Sequence, residues 1–410
     1  MNRVERQRHE YALLLTAGLY HTSDQWTRVL TPFIQWELEP HLSPDSLLWL
    51  TATSTLFSLI GTVFIAQMIE AFGLRKTAVI SSCVVAIFQI VVGFTRDYYT
   101  YLFLQTLLIF NNMPMIIDAA VLHLEGEDGD DKKRTRLITK ILIPTSIGFA
   151  AGPYCALQMI FFVTPSLELS QSICSVLTIF FIIPLVVNYF PDSNCSKGKS
   201  FIPDLRAYGD LLKNERTVWC TILIMLISAP YATYDNVIRI TLASTALRDP
   251  RTIHTLFLIL GITTMIVNAV FLPKLQTRFA PQFLLKLAFA ILTISYIYLA
   301  IFRDYTHLLF GMPLQVIGVT IGLGEVSSQL MGTIGRGGAG KAAALIRISQ
   351  LLAGILIPFI VGSWMSHIDS TWLCVASAGI SIIAIGLVEK YGSFMKFNAA
   401  LLPGVLGKFE

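Results

Sequence analysis

Twelve stretches of about 20 mostly apolar residues follow one another along this 410-residue chain, separated by polar connections. A helix needs about 20 residues to cross the ~30 Å hydrocarbon core of a bilayer, where it satisfies its own backbone hydrogen bonds. The stretches, called spans 1 to 12, cover residues 11–35, 46–69, 77–95, 99–123, 137–163, 167–190, 217–241, 253–273, 282–302, 306–331, 342–366 and 371–391. This pattern predicts an all-α membrane protein, with spans 1, 7 and 10 the most polar.

The composition excludes several other classes of protein. Charged residues make up 14% of the chain and apolar residues 54%, whereas a soluble domain carries about 25% charged residues. The net charge of +4 is too small to indicate a nucleic-acid partner. The six cysteines are scattered singly, without the paired spacing of a zinc site or a disulfide framework. We therefore expect the lipid bilayer as surroundings, and no nucleic acid, metal or cofactor.

The basic residues predict an orientation. If the N-terminus is cytoplasmic, the cytoplasmic segments hold 24 of the 30 Lys and Arg residues and the opposite connections hold 4. Cytoplasmic connections of membrane proteins carry such an excess. The sequence therefore predicts a multi-pass protein with both termini in the cytoplasm. This count assigns Arg347 to the connection at residues 332–347.

A polar stretch divides the chain into two halves. We predict an N-terminal six-helix bundle over residues 1–190, a cytoplasmic linker over 191–216, and a C-terminal six-helix bundle with a short tail over 217–410. We expect a monomer.

The two halves repeat three polar features. Arg96-Asp97-Tyr98 precedes span 4 and Arg303-Asp304-Tyr305 precedes span 10, an offset of 207 residues. The same offset relates Asp118 to Glu325, and an offset of 211 relates Asp24 and Arg28 to Asp235 and Arg239. Internal repeats of this kind are typical of secondary transporters.

The connection between spans 2 and 3 resembles a signature of the major facilitator superfamily: Gly, three residues, Asp-Arg, one residue, Gly, then Arg-Arg or Arg-Lys. The positions that fit are Glu70, Gly73, Arg75 and Lys76, and those that depart are Ala66, Ala71 and Leu74. The resemblance implies twelve transmembrane helices in two pseudo-symmetric six-helix bundles. It also implies a central cavity lined by spans 1, 4, 7 and 10.

Span 5 carries a second resemblance. Gly148-x-x-x-Gly152-Pro153 is similar to a motif of the proton-coupled antiporters in that superfamily, although Ala156 and Leu157 stand where a glycine pair is expected. In span 4, Leu102 replaces the expected Arg, while Gln105 is retained. Drug:proton antiporters and organic-cation-transporter-like members look most similar. Small residues also let two helices approach closely, so helix packing is an equal interpretation of the motif.

Polar residues on the expected cavity helices are candidates for binding substrate or protons. His21, Asp24 and Arg28 share one face of span 1, because they lie three and four residues apart. The remaining candidates are Asn111 and Asn112 in span 4, Tyr231, Tyr234, Asp235 and Arg239 in span 7, and Gln315 in span 10. Asp24 and Asp235 are the leading proton or cation sites. Alternatively, each Asp pairs with the Arg four residues later and binds nothing.

A second set of charges predicts a cytoplasmic gate. The resemblance implies that an acid at the end of span 4 meets the basic residues that follow span 2. We expect Asp118 to pair with Arg75, and Glu325 with Lys274 or Arg278. Alternatively, each acid reaches water at a helix end. The gate candidates are Glu70, Gly73, Arg75, Lys76, Asp118 and Glu325.

Together these features favour a secondary transporter of a small organic ion or amphiphile that works by alternating access, with proton-coupled antiport as one form. An inactive relative serving as a receptor or scaffold remains an alternative. An enzyme is disfavoured, because the sequence shows no nucleophile–base set or metal-binding pattern.

Overall fold

The computed structural model describes residues 3–39, 44–125, 131–192, 205–246, 250–302, 304–334, 339–362 and 370–391. Every regular secondary-structure element in these residues is helical, and none of them is a strand. Side chains in residues 233–254 and 357–370, and in several shorter stretches, lie outside the described part.

The first six spans have these bounds. Span 1 is Arg3–Leu38, span 2 is Pro44–Phe72 and span 3 is Leu74–Phe94. Span 4 has three parts, Tyr98–Leu104, the 3-10 turn Gln105–Phe110, and Met113–Glu125. Span 5 is Asp131–Gln158 with a π-helical turn at Met159–Val163. Span 6 is Leu167–Leu177, a π-helical turn at Thr178–Ile182, and Ile183–Tyr189.

A short helix, Leu205–Leu211, precedes the last six spans. Span 7 is Glu215–Ala246, and span 8 is Pro250–Ile266, a π-helical turn at Val267–Phe271, and Leu272–Arg278. The remaining spans are Pro281–Ile301, Tyr305–Ile334, Ala339–Gly362 and Ser370–Tyr391. The spans predicted from hydropathy therefore correspond to helical segments, several of them longer than the apolar window.

Nine helices in the described residues are long and apolar enough to cross a membrane. Spans 1, 7 and 11 are not among them. Span 10, which the sequence suggested to be among the most polar, does meet this criterion, over Thr306–Met331. Large apolar side chains such as Phe103, Phe180 and Phe310 are exposed on the outside of the helices. An apolar outer surface is what a lipid-facing helix requires.

The break in span 4 has a local cause. Pro114 lacks a backbone N–H and disfavours the helical conformation of the residue before it. Asn111 has φ −83° and ψ 58°, outside the helical region. The Asn112 side-chain amide replaces one lost helix bond, since it donates to the carbonyl of Ile109 (3.3 Å), and it also donates to the carbonyl of Ser58 in span 2 (3.1 Å). This break places Asn111 at the level of the charges on span 1.

Two turns on opposite faces of the bundle follow directly from the sequence. Gly73 has φ 89°, a conformation that favours glycine, and it lets span 3 begin immediately after span 2. Asp97 caps span 4, because its carboxylate accepts from the backbone N–H of Thr100 at 2.7 Å. In the second half, the carbonyl of Asp304 accepts from the N–H of His307 at 2.9 Å as span 10 begins.

Several helix pairs join the first six spans to the last six, and two of them are the most extensive. Span 2 packs against span 11, and span 5 packs against span 8. Within the halves, span 1 packs against span 5 and span 9 packs against spans 10 and 12. We call the side of the bundle that carries the start of span 1 the N-terminal face. The other side, with the turn at Asp97, is the opposite face.

Candidate functional site

A cavity of about 350 Å³ lies between the two halves. Spans 1, 2, 3 and 4 line one side, spans 7 and 11 supply most of the other, and span 10 contributes Leu323. The expectation of spans 1, 4, 7 and 10 was therefore incomplete. Spans 2 and 11 also reach the cavity because they pack against each other between the halves.

Asp24 and Arg28 form the charged end of this cavity. Arg28 Nε lies 2.8 Å from Asp24 Oδ2, across one helical turn. The Asn111 amide donates to Asp24 Oδ1 at 3.1 Å, and the Tyr20 hydroxyl donates to the Asn111 oxygen at 2.5 Å. The Asp24 side chain is 8% exposed and the Arg28 side chain is 50% exposed. Asp24 is thus held by side chains of spans 1 and 4, whereas half of the Arg28 side chain is exposed.

Arg347 of span 11 adds a second positive charge to the cavity wall. It lies within electrostatic range of Arg28, Asp24 and Asp118. Its Nε atom is buried and has no hydrogen-bond partner. Counting Arg347 with the preceding connection was wrong, because span 11 begins at Ala339 and Arg347 lies about two turns inside it.

A signal for Arg347 was present in the sequence. Arg347, Gln350, Leu351 and Gly354 are spaced three, four and seven residues apart, which puts them on one helix face. All four line the cavity. An arginine that begins such a helix face, within an otherwise apolar stretch, is a pattern that indicates a cavity residue.

The described lining of the cavity carries more positive than negative charge. It contains the guanidinium groups of Arg28 and Arg347 and the carboxylate of Asp24. Like charges in a poorly hydrated cavity repel each other, and a bound anion relieves that repulsion. The arrangement therefore favours an anionic group near these arginines.

The other candidates for substrate binding divide into two groups. Asn111 and Tyr231 line the cavity. Asn112 does not: it is fully buried between spans 2 and 4, where its oxygen accepts from Thr62 Oγ1 at 3.0 Å. Gln315 does not line it either, because its amide donates to the Tyr296 hydroxyl of span 9 at 3.0 Å. Both amides hold helices together in this structure, which does not place either of them at the cavity.

His21 also lies away from the cavity lining. Its ring makes an edge contact with Tyr20, with 5.5 Å between centroids, and its Nδ1 atom is buried without a hydrogen-bond partner. The single polar face predicted for span 1 is therefore divided. His21 faces span 5, whereas Asp24 and Arg28 face the cavity.

Three candidates in span 7 fall on side chains that are not described. The backbone of Tyr234, Asp235 and Arg239 belongs to the helix Glu215–Ala246. Their side chains lie outside the described residues. Their roles stay predictions.

The gate charges form other contacts than the sequence suggested. Arg75 Nε donates to the backbone carbonyl of Phe190 at 2.9 Å, and Asp118 lies within electrostatic range of Arg347. Glu325 accepts from Gln276 Nε2 at 3.2 Å and from Gln329 Nε2 at 3.0 Å. The expected pairs of Asp118 with Arg75, and of Glu325 with Lys274 or Arg278, are not formed among the described contacts.

The rest of the gate motif lies where spans 2 and 3 meet. Lys76 is exposed in the first turn of span 3, after the positive-φ turn at Gly73. Glu70 approaches Tyr208 of the short helix Leu205–Leu211. Burial, and then the negative charge of Glu70, raise the pKa of Tyr208 to about 12. This short helix is therefore docked against the motif.

Gly148 and Gly152 allow spans 1 and 5 to touch. A Cβ atom on Gly148 would lie 2.8 Å from Thr22 N and 2.9 Å from His21 Cβ. A Cβ atom on Gly152 would overlap the Thr22 carbonyl oxygen and lie 2.9 Å from Trp26 N. Pro153 follows inside the helix. The motif sets the distance between span 5 and the part of span 1 that carries Asp24.

The sequence profile of the Major Facilitator Superfamily matches residues 13–358. The chain belongs to the major facilitator superfamily. Among solved structures, the human organic anion transporter MFSD10 (TETRAN) superposes with a TM-score of 0.76 at 14% identity, covering 95% of this chain and 100% of that one. The nucleoside transporter NupG superposes with a TM-score of 0.68 at 13% identity, covering 93% and 99%. No curated protein sequence matches significantly.

Membership of the superfamily confirms the predicted fold class and the resemblance read from residues 66–76. Superfamily members are transporters, so membrane transport rather than enzymatic chemistry is the supported activity. Both structural neighbours are less than 25% identical to this superfamily member, so they show its fold and not its substrate.

Proposed function

We propose that this protein is a secondary transporter of a small organic solute that carries an anionic group. The observation that supports this most directly is the presence of Arg28 and Arg347 in one cavity lining, with Asp24 as the described acid. Arg28 comes from span 1 and Arg347 from span 11, so an anion between them would contact both halves. A guanidinium offers several donors to a carboxylate or phosphate.

Alternating access gives this arrangement a mechanism. A solute that binds both halves favours conformations in which the halves close around it, because it has more contacts there. The charge on the cavity wall then disfavours closure without an anion, since two arginines would be brought together with Asp24 as the one acid in the described lining. We therefore propose that the anion is the substrate and that its charge offsets the two arginines when the halves close.

The size of the cavity supports a small solute. Ligand cavities span about 300–1,000 Å³, and the volume here is about 350 Å³. One structural neighbour is named as an organic anion transporter and the other as a nucleoside transporter. An anionic substrate narrows the small organic ion or amphiphile that the sequence predicted, and the net positive lining is the reason.

The experiment is uptake into proteoliposomes, screened over organic anions, organic cations and sugars, with and without a pH gradient. We expect uptake of one or more anions. We propose Asp24 as the proton-coupling acid of an antiport cycle, so Asp24→Asn should remove the effect of the pH gradient while substrate counterflow persists.

Three results would contradict these assignments. Uptake of cations or sugars alone would refute the anionic substrate, and no uptake of any class would favour a receptor or scaffold. An unchanged response of Asp24→Asn to the pH gradient would remove Asp24 from coupling.

The orientation of the chain is a further part of the proposal. The excess of Lys and Arg at the N-terminal face supports a cytoplasmic location for both termini. A cysteine in place of Gly209 tests it, because a Cβ atom there meets nothing within 4 Å. In intact cells, a membrane-impermeant maleimide should label this variant no more than the parent chain, and permeabilisation should expose it. Labelling without permeabilisation would reverse the orientation.

A further inference from the structure

A buried polar cluster lies behind the charged end of the cavity, where spans 1, 3 and 6 meet. Gln89 Nε2 of span 3 donates to Ser23 Oγ of span 1 at 2.6 Å. Thr178 Oγ1 of span 6 donates to Gln89 Oε1 at 3.1 Å and lies 3.2 Å from Ser23 Oγ. Ser23 and Gln89 are 1% exposed and Thr178 is 2% exposed. We call these three side chains the polar ring.

The members of the polar ring satisfy one another. The single proton of the Thr178 hydroxyl goes to Gln89, and the Ser23 hydroxyl accepts from the Gln89 amide and can donate to Thr178. Exchanging the oxygen and nitrogen of the Gln89 amide only reverses the direction of the ring. A closed ring of buried hydrogen bonds is rigid, because breaking any of them leaves a polar group unpaired in an apolar interior. The ring therefore holds three helices in one arrangement.

Further hydrogen bonds hold the same side of span 1. The thiol of Cys174 in span 6 donates to the backbone carbonyl of Ser23 at 3.3 Å. Thr27 lies one turn after Ser23. It accepts from Gln89 Nε2 at 3.4 Å and donates to Gln171 Oε1 of span 6 at 3.4 Å. Spans 3 and 6 thus hold span 1 at two successive turns.

This side of span 1 borders the charges of the cavity. Asp24 follows Ser23 and Arg28 follows Thr27, and successive residues of an α-helix are about 100° apart around its axis. Holding Ser23 and Thr27 against spans 3 and 6 therefore turns Asp24 and Arg28 toward the cavity, which both of them line. The glycine contacts with span 5 limit how span 1 moves sideways, whereas hydrogen bonds have a preferred direction and fix its rotation.

We propose that the polar ring positions Asp24 and Arg28 for binding by fixing the rotation of span 1. In the described part of the chain, Ser23 and Thr178 do not line the cavity, so they act through span 1. Gln89 does line it, but its amide is engaged in the ring. A guanidinium lies far from the helix axis, so a small rotation displaces it, and a displacement of about 1 Å can cost about 100-fold in function.

Thiol labelling tests the rotation without any substrate. A cysteine in place of Thr31, about one turn beyond Arg28 and in the cavity lining, reports which way span 1 faces. A cysteine in place of Thr51 of span 2, which also lines the cavity, reports how open the cavity is. A small methanethiosulfonate labels each variant of the purified protein, with the parent chain as background. The ratio of the two rates separates rotation of span 1 from opening of the cavity.

Variants of the ring should change this ratio. Thr178→Val removes a ring hydroxyl at nearly constant shape, and Gln89→Leu is a second variant that removes the amide. Each should lower the rate at residue 31 relative to residue 51 by about fivefold, the effect of one lost hydrogen bond. Thr178→Ser keeps the hydroxyl and should preserve the wild-type ratio.

Ser175→Ala is the matched control. Ser175 is also fully buried in span 6, but its hydroxyl donates to the Ala86 carbonyl of span 3 at 3.0 Å. This substitution therefore removes a hydrogen bond between spans 3 and 6 and leaves the bonds of the ring to span 1 intact. It should preserve the labelling ratio.

Transport kinetics show whether the ring acts through Arg28. This readout alone rests on the proposed function. Thr178→Val should raise the anion concentration at half-maximal uptake by roughly tenfold. It should have little further effect in the Arg28→Gln background, because the group that it displaces is already absent. Ser175→Ala should leave that concentration unchanged.

An unchanged labelling ratio in both Thr178→Val and Gln89→Leu overturns the inference. An effect of Thr178→Val on uptake that is equally large with and without Arg28 overturns it as well, since that effect would come from a general loss of folding. The absence of anion uptake in the proteoliposome screen counts against the proposed function instead, and the labelling ratio then decides the positioning role by itself.

Discussion

Replacement of Arg347 by glutamine should reduce organic-anion uptake by at least about 30-fold. Removing one partner of a buried charge pair costs about 2–5 kcal/mol, and that range sets the expected loss. The variant removes the positive charge that span 11 contributes to the cavity, and it leaves Asp24 and Asp118 with one fewer counter-charge. Initial uptake rates in proteoliposomes, normalised to reconstituted protein, measure the effect.

The controls separate charge, geometry and folding. Arg347→Lys keeps the charge without the planar fork, so its loss should be smaller. Arg75→Gln is the matched control, because Arg75 bonds the Phe190 carbonyl away from the cavity, and it should leave the substrate concentration at half-maximal rate unchanged. Arg347→Gln with normal uptake would refute the anion site.

The same uptake assay tests which basic residue Asp118 interacts with in the gate. We propose that attraction between Asp118 and Arg347 helps to close the N-terminal face, in place of the pair with Arg75. Asp118→Asn should then alter uptake strongly in the wild-type background and little in Arg347→Gln. Equal effects in both backgrounds would show that Asp118 acts independently of Arg347.

Gly152→Ala should destabilise the protein and impair transport together. The added methyl group would overlap the Thr22 carbonyl and press on Trp26. Overpacking of this kind costs about 1–3 kcal/mol. We expect the apparent Tm to fall by roughly 2–6 °C. Because span 1 carries Asp24 and Arg28, pushing it away from span 5 should also lower uptake per folded molecule.

Gly386→Ala in span 12 is the matched control, because a Cβ atom there meets nothing within 4 Å. Removing a glycine from an unhindered helical position is neutral or slightly stabilising. Fluorescence-detected size-exclusion chromatography after a temperature series compares the two variants. If Gly152→Ala matches Gly386→Ala in Tm, the close contact of spans 1 and 5 is refuted.

The break in span 4 shows where local sequence information ended. Hydropathy predicted one continuous helix over residues 99–123, and Pro114 was the local sign of an interruption. Whether a membrane helix breaks at such a proline depends on other helices that satisfy the freed groups. Here Ser81 of span 3 does so, because its hydroxyl donates to the carbonyl of Phe110, which Pro114 leaves without a helix partner. Pro114 therefore permits the break in span 4, and the neighbouring helix determines that the break forms.

Asn111 and Asn112 illustrate the same limit at the site. They are adjacent in sequence and equally polar, yet one contacts Asp24 and the other joins two helices. Gln315 and Gln105 likewise look alike in sequence, but Gln315 is paired with Tyr296 whereas Gln105 faces the cavity. Helical periodicity specifies which residues share a face, but it does not specify what that face meets.

The sequence by itself determined the helical membrane fold, the number of spans and the superfamily. Each depends on properties of continuous segments, namely apolar length against bilayer thickness and short motifs at helix ends. Only the tertiary structure decided that Arg347 enters the cavity and that Asp118 lies near Arg347. Those facts depend on the rotation of each helix about its axis, and helix rotation is set by packing against neighbours far away in the chain.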